Sequence, residues 1–198
     1  MRGEIGEPVP LSGPRPWIDD TLETYAGNLP GRVVHPRGGP PLKVISAYSP
    51  PWQIPWHYFD GADLNALKAT QQHGVWLVDL LLAALEHCPP GSGERWIIAG
   101  DLNLSETYDH DRRFAGGNGA WLERMSSLGL VECLRQARGE LTPTFRHPRG
   151  GISHQIDHLF VTQALASQLV NCETGSAERV FGSPLLSDHL PVIATFLL

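Results

Sequence analysis

The sequence predicts an α/β fold, and three observations carry that expectation. Strand, helix and strand patterns follow one another between Leu42 and Leu102. The strand segments are short, apolar and β-branched, and are closed by Gly or Pro, which sets them apart from helices of similar apolarity. Asp101, Asp157 and the Asp188-His189 pair each border a separate apolar segment. Polar groups so placed converge at one rim of a packed sheet, the default position of a binding site.

In chain order, residues 1–30 are rich in Pro and Gly and are expected to be poorly ordered, with the structured domain running over residues 31–198. The stretch from Pro8 to Pro16 holds four prolines and is excluded from any central strand, because Pro removes ladder donors. Residues 32–35 and 42–48 read as paired strands around a turn at residues 36–41. A loop carrying Trp52, Trp56, His57, Tyr58 and Phe59 follows; its rings either stack on a base or a lipid face, or pin the loop to the fold. Residues 71–87 form the clearest helix, with Val75, Trp76, Val78, Leu81, Leu82 and Leu85 on its apolar face and Cys88-Pro89-Pro90-Gly91 ending it. Residues 96–102 form a buried strand, residues 118–128 a helix stopped by Gly129, and residues 154–161 another strand. A short helix at residues 163–168 and a final apolar strand after His189 complete the pattern.

Composition narrows the class. A length of 198 residues suits one domain, and 41% hydrophobic residues suffice for a core. The net charge of −6 and a pI near 5.8 argue against a broad basic surface gripping a nucleic-acid backbone. They do not exclude a nuclease, since a bound cation offsets a carboxylate-lined site locally. Cys88, Cys133 and Cys172 are odd in number, lack zinc-like spacing and read as buried thiols. The chain shows no secretory apolar segment and no apolar run long enough to span a membrane, which favours a cytoplasmic location if Met1 is the true start.

The chemistry concentrates at Gly100-Asp101-Leu102-Asn103. Gly100 lets the backbone turn freely, and Asp101 and Asn103 point the same way if the extended path continues through Leu102. A hard carboxylate beside an amide suits a divalent cation, a phosphate or an attacking water, although Asp and Asn are also common turn residues. Together with Ala47-Tyr48-Ser49-Pro50, Gln155-Ile156-Asp157-His158 and Ser187-Asp188-His189, this segment resembles four motifs of the endonuclease/exonuclease/phosphatase family, in the family's order. Thr142-Pro143-Thr144-Phe145 resembles the segment preceding the third motif.

The resemblance implies a four-layer α/β/β/α sandwich of the DNase I type and hydrolysis of a phosphodiester or phosphomonoester with Mg²⁺ or Mn²⁺. It places Asp101 as the group that aligns water or accepts its proton, and Asn103 as the holder of that water or a phosphate oxygen. His189 stabilises developing charge while Asp157 orients its ring. Tyr48 donates to the phosphate, and Phe145 joins Tyr48 and Asn103 in substrate binding. Asp188 and Asp101 are the implied metal ligands. His158 reads as a packed strand residue. The substrate class stays open between nucleic acid, phospholipid headgroup and inositol phosphate.

One departure counts against full activity. Nothing before Val44 resembles the family's Asn-bearing strand or the following strand that ends in Gln-Glu, whose Glu binds metal. The chain therefore reads as the C-terminal two thirds of a family domain, with N-terminal strands missing and millimolar Mg²⁺ affinity at best. The sheet would expose an edge, favouring oligomers, unless residues 1–30 cover it. The alternative is a catalytically impaired remnant that serves as a binding module.

Overall fold

The computed structural model describes residues 3–67, 74–110 and 116–197. In chain order it contains β1 (Gly3–Pro8), α1 (Pro16–Thr24), β2 (Gly31–Pro36), β3 (Leu42–Ser46), α2 (Leu77–His87) and β4 (Trp96–Asp101). There follow α3 (Asn118–Ser127), β5 (Leu130–Glu132), α4 (Cys133–Arg138), β6 (Phe145–Arg146), β7 (Ile152–His154) and β8 (Asp157–Thr162). The chain closes with α5 (Gln163–Ala166), β9 (Leu169–Thr174), α6 (Ala177–Phe181) and β10 (Val192–Phe196).

The main sheet has the order β1-β2-β3-β4-β8-β5, and β9 with β10 and β6 with β7 form two small antiparallel sheets. Within the main sheet only β3 and β4 run parallel, because α2 carries the chain back between them. Strand side chains alternate between two apolar layers. Val33, Ile45, Ile98 and Phe160 pack with Ile18 and Leu22 of α1, the leucines of α2, and Trp121 and Met125 of α3. Their neighbours Val34, Val44, Ile97 and Val161 face the other way, onto Leu134, Cys172, Val192 and Ala194. The result is a layered α/β fold, with α1 to α3 on one face of the main sheet and β9–β10 and α4 on the other.

Residues 3–30 depart from the expectation of disorder, residues 1 and 2 lying outside the described residues. Strand β1 pairs antiparallel with β2 and covers the edge that would otherwise be open. It tolerates Pro8 because it is an edge strand and Pro8 ends it. Helix α1 starts with Pro16 in its first turn, where no amide donor is needed, and buries Ile18, Thr21 and Leu22. Burial of these side chains, rather than local composition, decides the segment.

Two smaller corrections follow. Helix α2 starts at Leu77, where the Asp79 carboxylate accepts the Trp76 N–H at 2.9 Å; residues 71–73 of the expected helix lie outside the described residues. Cys133 and Cys172 are buried free thiols as expected, but Cys88 is exposed, being the residue on which α2 ends.

Glu94 ties the turn before β4 to β3. Its carboxylate pairs with Lys43 and accepts from the Trp96 indole at 2.8 Å and the Gly91 N–H at 2.9 Å. The Lys43 bond, then those of Gly91 and Trp96, hold this carboxyl down at about 2, from an ordinary value of 4.5. A depressed carboxyl lends stability that is complete above its unfolded value and is lost as pH falls toward 2. Glu94→Gln should therefore cost about 1 kcal/mol at neutral pH. Urea unfolding at pH 7 and in acid should show the wild-type advantage shrink as the carboxylate is protonated.

Candidate active site

The site forms where β4 and β8 end side by side. Asp101 and Asp157 are direct partners in the antiparallel register. The main chain around them is fixed on both sides: Ser49 N–H donates to Asp101 O at 2.9 Å, and Leu102 N–H donates to Ile156 O at 2.9 Å. Gly100 adopts φ 146°, and a Cβ on it would stand 2.0 Å from Ala47 O. Glycine is required here because the Ala47 backbone, just past β3, approaches so closely.

Beyond Asp101 the extended path stops. Asn103 takes a left-handed φ of 48°, which Asn tolerates better than most residues. Its N–H donates to Asp101 Oδ1 at 2.9 Å, and its Nδ2 donates to Asp101 Oδ2 at 3.0 Å and to Ser49 O at 2.8 Å. Both amide donors are thus used within the protein. Asn103 and Asp101 meet through a turn instead of strand alternation, and the Asn103 amide grips Asp101 instead of reaching outward.

His189 is held by a different set of contacts. Phe145 and His189 form an antiparallel bridge, flanked by Arg146 N–H to Asp188 O at 2.8 Å and Leu190 N–H to Thr144 O at 2.7 Å. Thr144 is fully buried, and its Oγ1 accepts the N–H groups of Ile156 and Asp157, each at 3.2 Å. One threonine therefore ties the Asp157 strand to the His189 segment. The His189 Nδ1 lies 2.9 Å and 3.2 Å from the two Asp157 carboxylate oxygens, and the Phe145 ring packs on the imidazole at 5.0 Å.

Asp101, Asp157 and His189 each offer a ligand atom, and these atoms lie within 4.8 Å of one another. Burial, reinforced by Asp157, pushes the Asp101 carboxyl up to about 6 against the opposing Asn103 bonds and His189. A partly buried carboxylate facing a second carboxylate is a donor set that hard divalent cations prefer. The group borders a hollow of about 520 Å³ lined in part by Gly100, Asp157, Leu186, His189 and Pro191.

Of the residues singled out from sequence, Asp101, Asn103, Asp157, His189 and Phe145 are brought together. Asp188 is not. Neighbours in an extended segment point in opposite directions, so Asp188 faces a separate hollow with Arg146 and Phe181 and lies outside the Asp/Asp/His group. Tyr48 leaves β3 half-exposed, its N–H bonded to Asn28 O at 2.8 Å. His158 is buried, with Nε2 3.1 Å from Leu104 O, as a packed strand residue.

The linking role of Thr144 and the place of Tyr108 escaped the sequence reading. The Tyr108 hydroxyl is pushed up to about 12 by burial and by Asp101, and its ring lies 4.4 Å from that of His154. No sequence signal marks Tyr108, because the short 3₁₀ turn Glu106–His110 that carries it has no period to read. Thr144 sits in a recognised segment, but only the fold shows what its hydroxyl joins.

A layered α/β fold whose adjacent strand ends gather two carboxylates and a histidine defines the DNase I-like class. The chain belongs to the endonuclease/exonuclease/phosphatase family, whose model matches residues 10–189. No curated protein matches the sequence significantly. Among solved structures it is similar to an AP endonuclease from Archaeoglobus fulgidus, with TM-score 0.69 and 18% identity over 99% of this chain and 72% of that one. It is also similar to a 3′ phosphatase from Neisseria bound to a product DNA hairpin, with TM-score 0.60, 18% identity and coverage of 98% and 72%. An AP endonuclease from Leishmania major matches with TM-score 0.54 and 17% identity over 84% of this chain and 53% of that chain. No helix among the described residues is long and apolar enough to cross a membrane.

Proposed function

We propose that the chain is a metal-dependent phosphoesterase acting on phosphate esters of nucleic acid. The observation that carries this reading is the convergence of Asp101, Asp157 and His189 within 4.8 Å at the end of the main sheet. Nucleic acid is favoured over phospholipid or inositol phosphate because the Neisseria neighbour is bound to a DNA product and the archaeal one is named an AP endonuclease.

Phosphoester hydrolysis needs an aligned nucleophile, stabilised charge on the phosphoryl oxygens and help for the leaving oxygen. Asp101 aligns the attacking water and takes its proton, its carboxylate held in place by Asn103. Asn103 fixes the rotamer of Asp101. His189, with Nδ1 turned to Asp157, presents Nε2 as a donor to the phosphoryl oxygens when protonated. Asp101 and Asp157 would hold Mg²⁺ or Mn²⁺, which would supply Lewis-acid polarisation of a phosphoryl oxygen.

The test is turnover of bis-nitrophenyl phosphate. Slow hydrolysis should appear with Mn²⁺ or Mg²⁺, saturate only in the millimolar range because carboxylate ligands are few, and vanish with EDTA. Turnover that persists undiminished in EDTA, or none at any metal concentration, overturns the proposal.

A further inference from the structure

The loop over residues 48–59 enters the site from the Asp101 side. Its Ser49 carbonyl accepts from Asn103, and its Ser49 N–H donates to Asp101 O. The loop is rich in rings, and the structure divides them by what they do. Ile54 is buried and anchored by its N–H to Val75 O at 2.8 Å; Phe59 packs on Trp17 at 6.2 Å; Tyr58 meets Tyr25 edge-on at 5.9 Å. These contacts suffice to hold the loop. Trp52 and Trp56 are left outside, 60% and 67% exposed. Two large indoles kept in water on an anchored loop beside a polar site contribute nothing to the core, so their faces are available to a ligand.

The opposite flank of the site has the complementary chemistry. Sheet order runs from β3, which leads into this loop, through β4 with Asp101 to β8 with Asp157, and the β6–β7 hairpin is bridged to the His189 segment. The hairpin carries exposed His147 and Arg149, and residues 141–156 contain no acid, while Arg146 is turned to the Phe181 carbonyl and ring in the separate hollow that Asp188 lines. The site is thus joined on its β3 side by the ring-bearing loop and on its β8 side by a hairpin that carries Arg149 and His147.

We infer that Trp52 and Trp56 form a stacking platform for unpaired bases, so that the favoured substrate is single-stranded or locally unpaired nucleic acid with its phosphates directed toward the β6–β7 hairpin. This inference rests on the phosphoesterase reading above and names the substrate class of that site. Within a duplex, bases expose edges and not faces, whereas an unpaired base offers a face that an indole can cover. A short basic rim beside aromatic faces suits a strand held by stacking as well as charge, which a chain of net charge −6 requires. A membrane surface fits poorly: residues 48–59 contain no Lys or Arg, and the overall charge opposes an anionic leaflet.

The test is tryptophan fluorescence titration in EDTA, where hydrolysis is silent, with an oligothymidylate and an abasic oligomer of equal length. The base-bearing strand should quench and bind at least about tenfold more tightly than the abasic one. Followed by the anisotropy of end-labelled oligomers, because these substitutions remove the reporting indoles, Trp52→Ala/Trp56→Ala should reduce oligothymidylate binding to the abasic level, while Trp52→Phe/Trp56→Phe should keep the preference. Equal binding of the two oligomers by the wild-type protein, an unchanged preference in the alanine variant, or quenching only by phosphatidylserine vesicles would overturn the inference. The wild-type comparison decides even if the alanine variant fails to fold. Because the arylphosphate assay carries no base and the binding assay carries no metal, failure here and failure of the phosphoesterase reading are read separately.

Discussion

His189→Ala should lower kcat on bis-nitrophenyl phosphate by about two to three orders of magnitude, the typical cost of removing one preorganised electrostatic group. The effect should fall mainly on kcat, since an imidazolium that meets charge developing on the phosphoryl oxygens acts more strongly in the transition state than in the bound substrate. Asp157→Asn supplies the companion measurement. The Asp157 carboxylate accepts from His189 Nδ1 at 2.9 Å, whereas a carboxamide turned to donate there favours the wrong tautomer and weakens the imidazolium. Its loss should therefore approach that of His189→Ala, and the double variant should lose little more than either alone, because the two residues act as a unit. Unfolding midpoints measured alongside separate chemistry from folding. A His189→Ala rate within a fewfold of wild type would remove His189 from the mechanism.

Much of this site is legible in the sequence because its strands are locally unambiguous. Trp96 to Asp101 is a short apolar run closed by Gly and Asp, and the antiparallel pair β2–β3 announces itself by apolar runs around a Pro/Gly turn. Helix α3 is equally plain, ending just before Gly129, which adopts φ 75°. What escaped depends on contacts remote in the chain. Helix α1 hides in Pro- and Gly-rich sequence because its stability comes from burying Ile18 and Leu22, which no local pattern reports. Asn103 reads as a strand neighbour of Asp101, yet its left-handed backbone turns its amide inward. Asp188 and His189 are adjacent in sequence, but only His189 faces the site, a distinction set by the bridge to Phe145. The residue types at the site are thus visible early, and their directions only once partner strands are known.

Direction is set most tightly at Gly100, where the fold and the site share one residue. Its φ of 146° is one that L side chains rarely adopt, and an added Cβ would lie 2.0 Å from Ala47 O and 2.9 Å from Ala47 C. These are backbone atoms of the chain leaving β3, and Ala47 N–H is itself bonded to Ala99 O at 2.8 Å, so neither side can yield cheaply. Gly100→Ala must therefore separate β3 from β4 at their ends, or twist β4 out of register with β8 where Asp101 meets Asp157. The backbone strain alone costs about 1–3 kcal/mol, and the steric overlap adds to it. An unfolding free energy lower by about 3 kcal/mol or more is expected in urea titration. Any protein that still folds should lose activity as well, because a displacement of about 1 Å at a catalytic group can cost 10²-fold in rate. Gly129→Ala is the matched control: its φ is 75° but no atom lies within 4 Å of the added Cβ, so it carries strain without collision. Gly100→Ala should be clearly the more damaging of the two, and equal losses would mean that the close approach of the Ala47 backbone to Gly100 is not what demands glycine there.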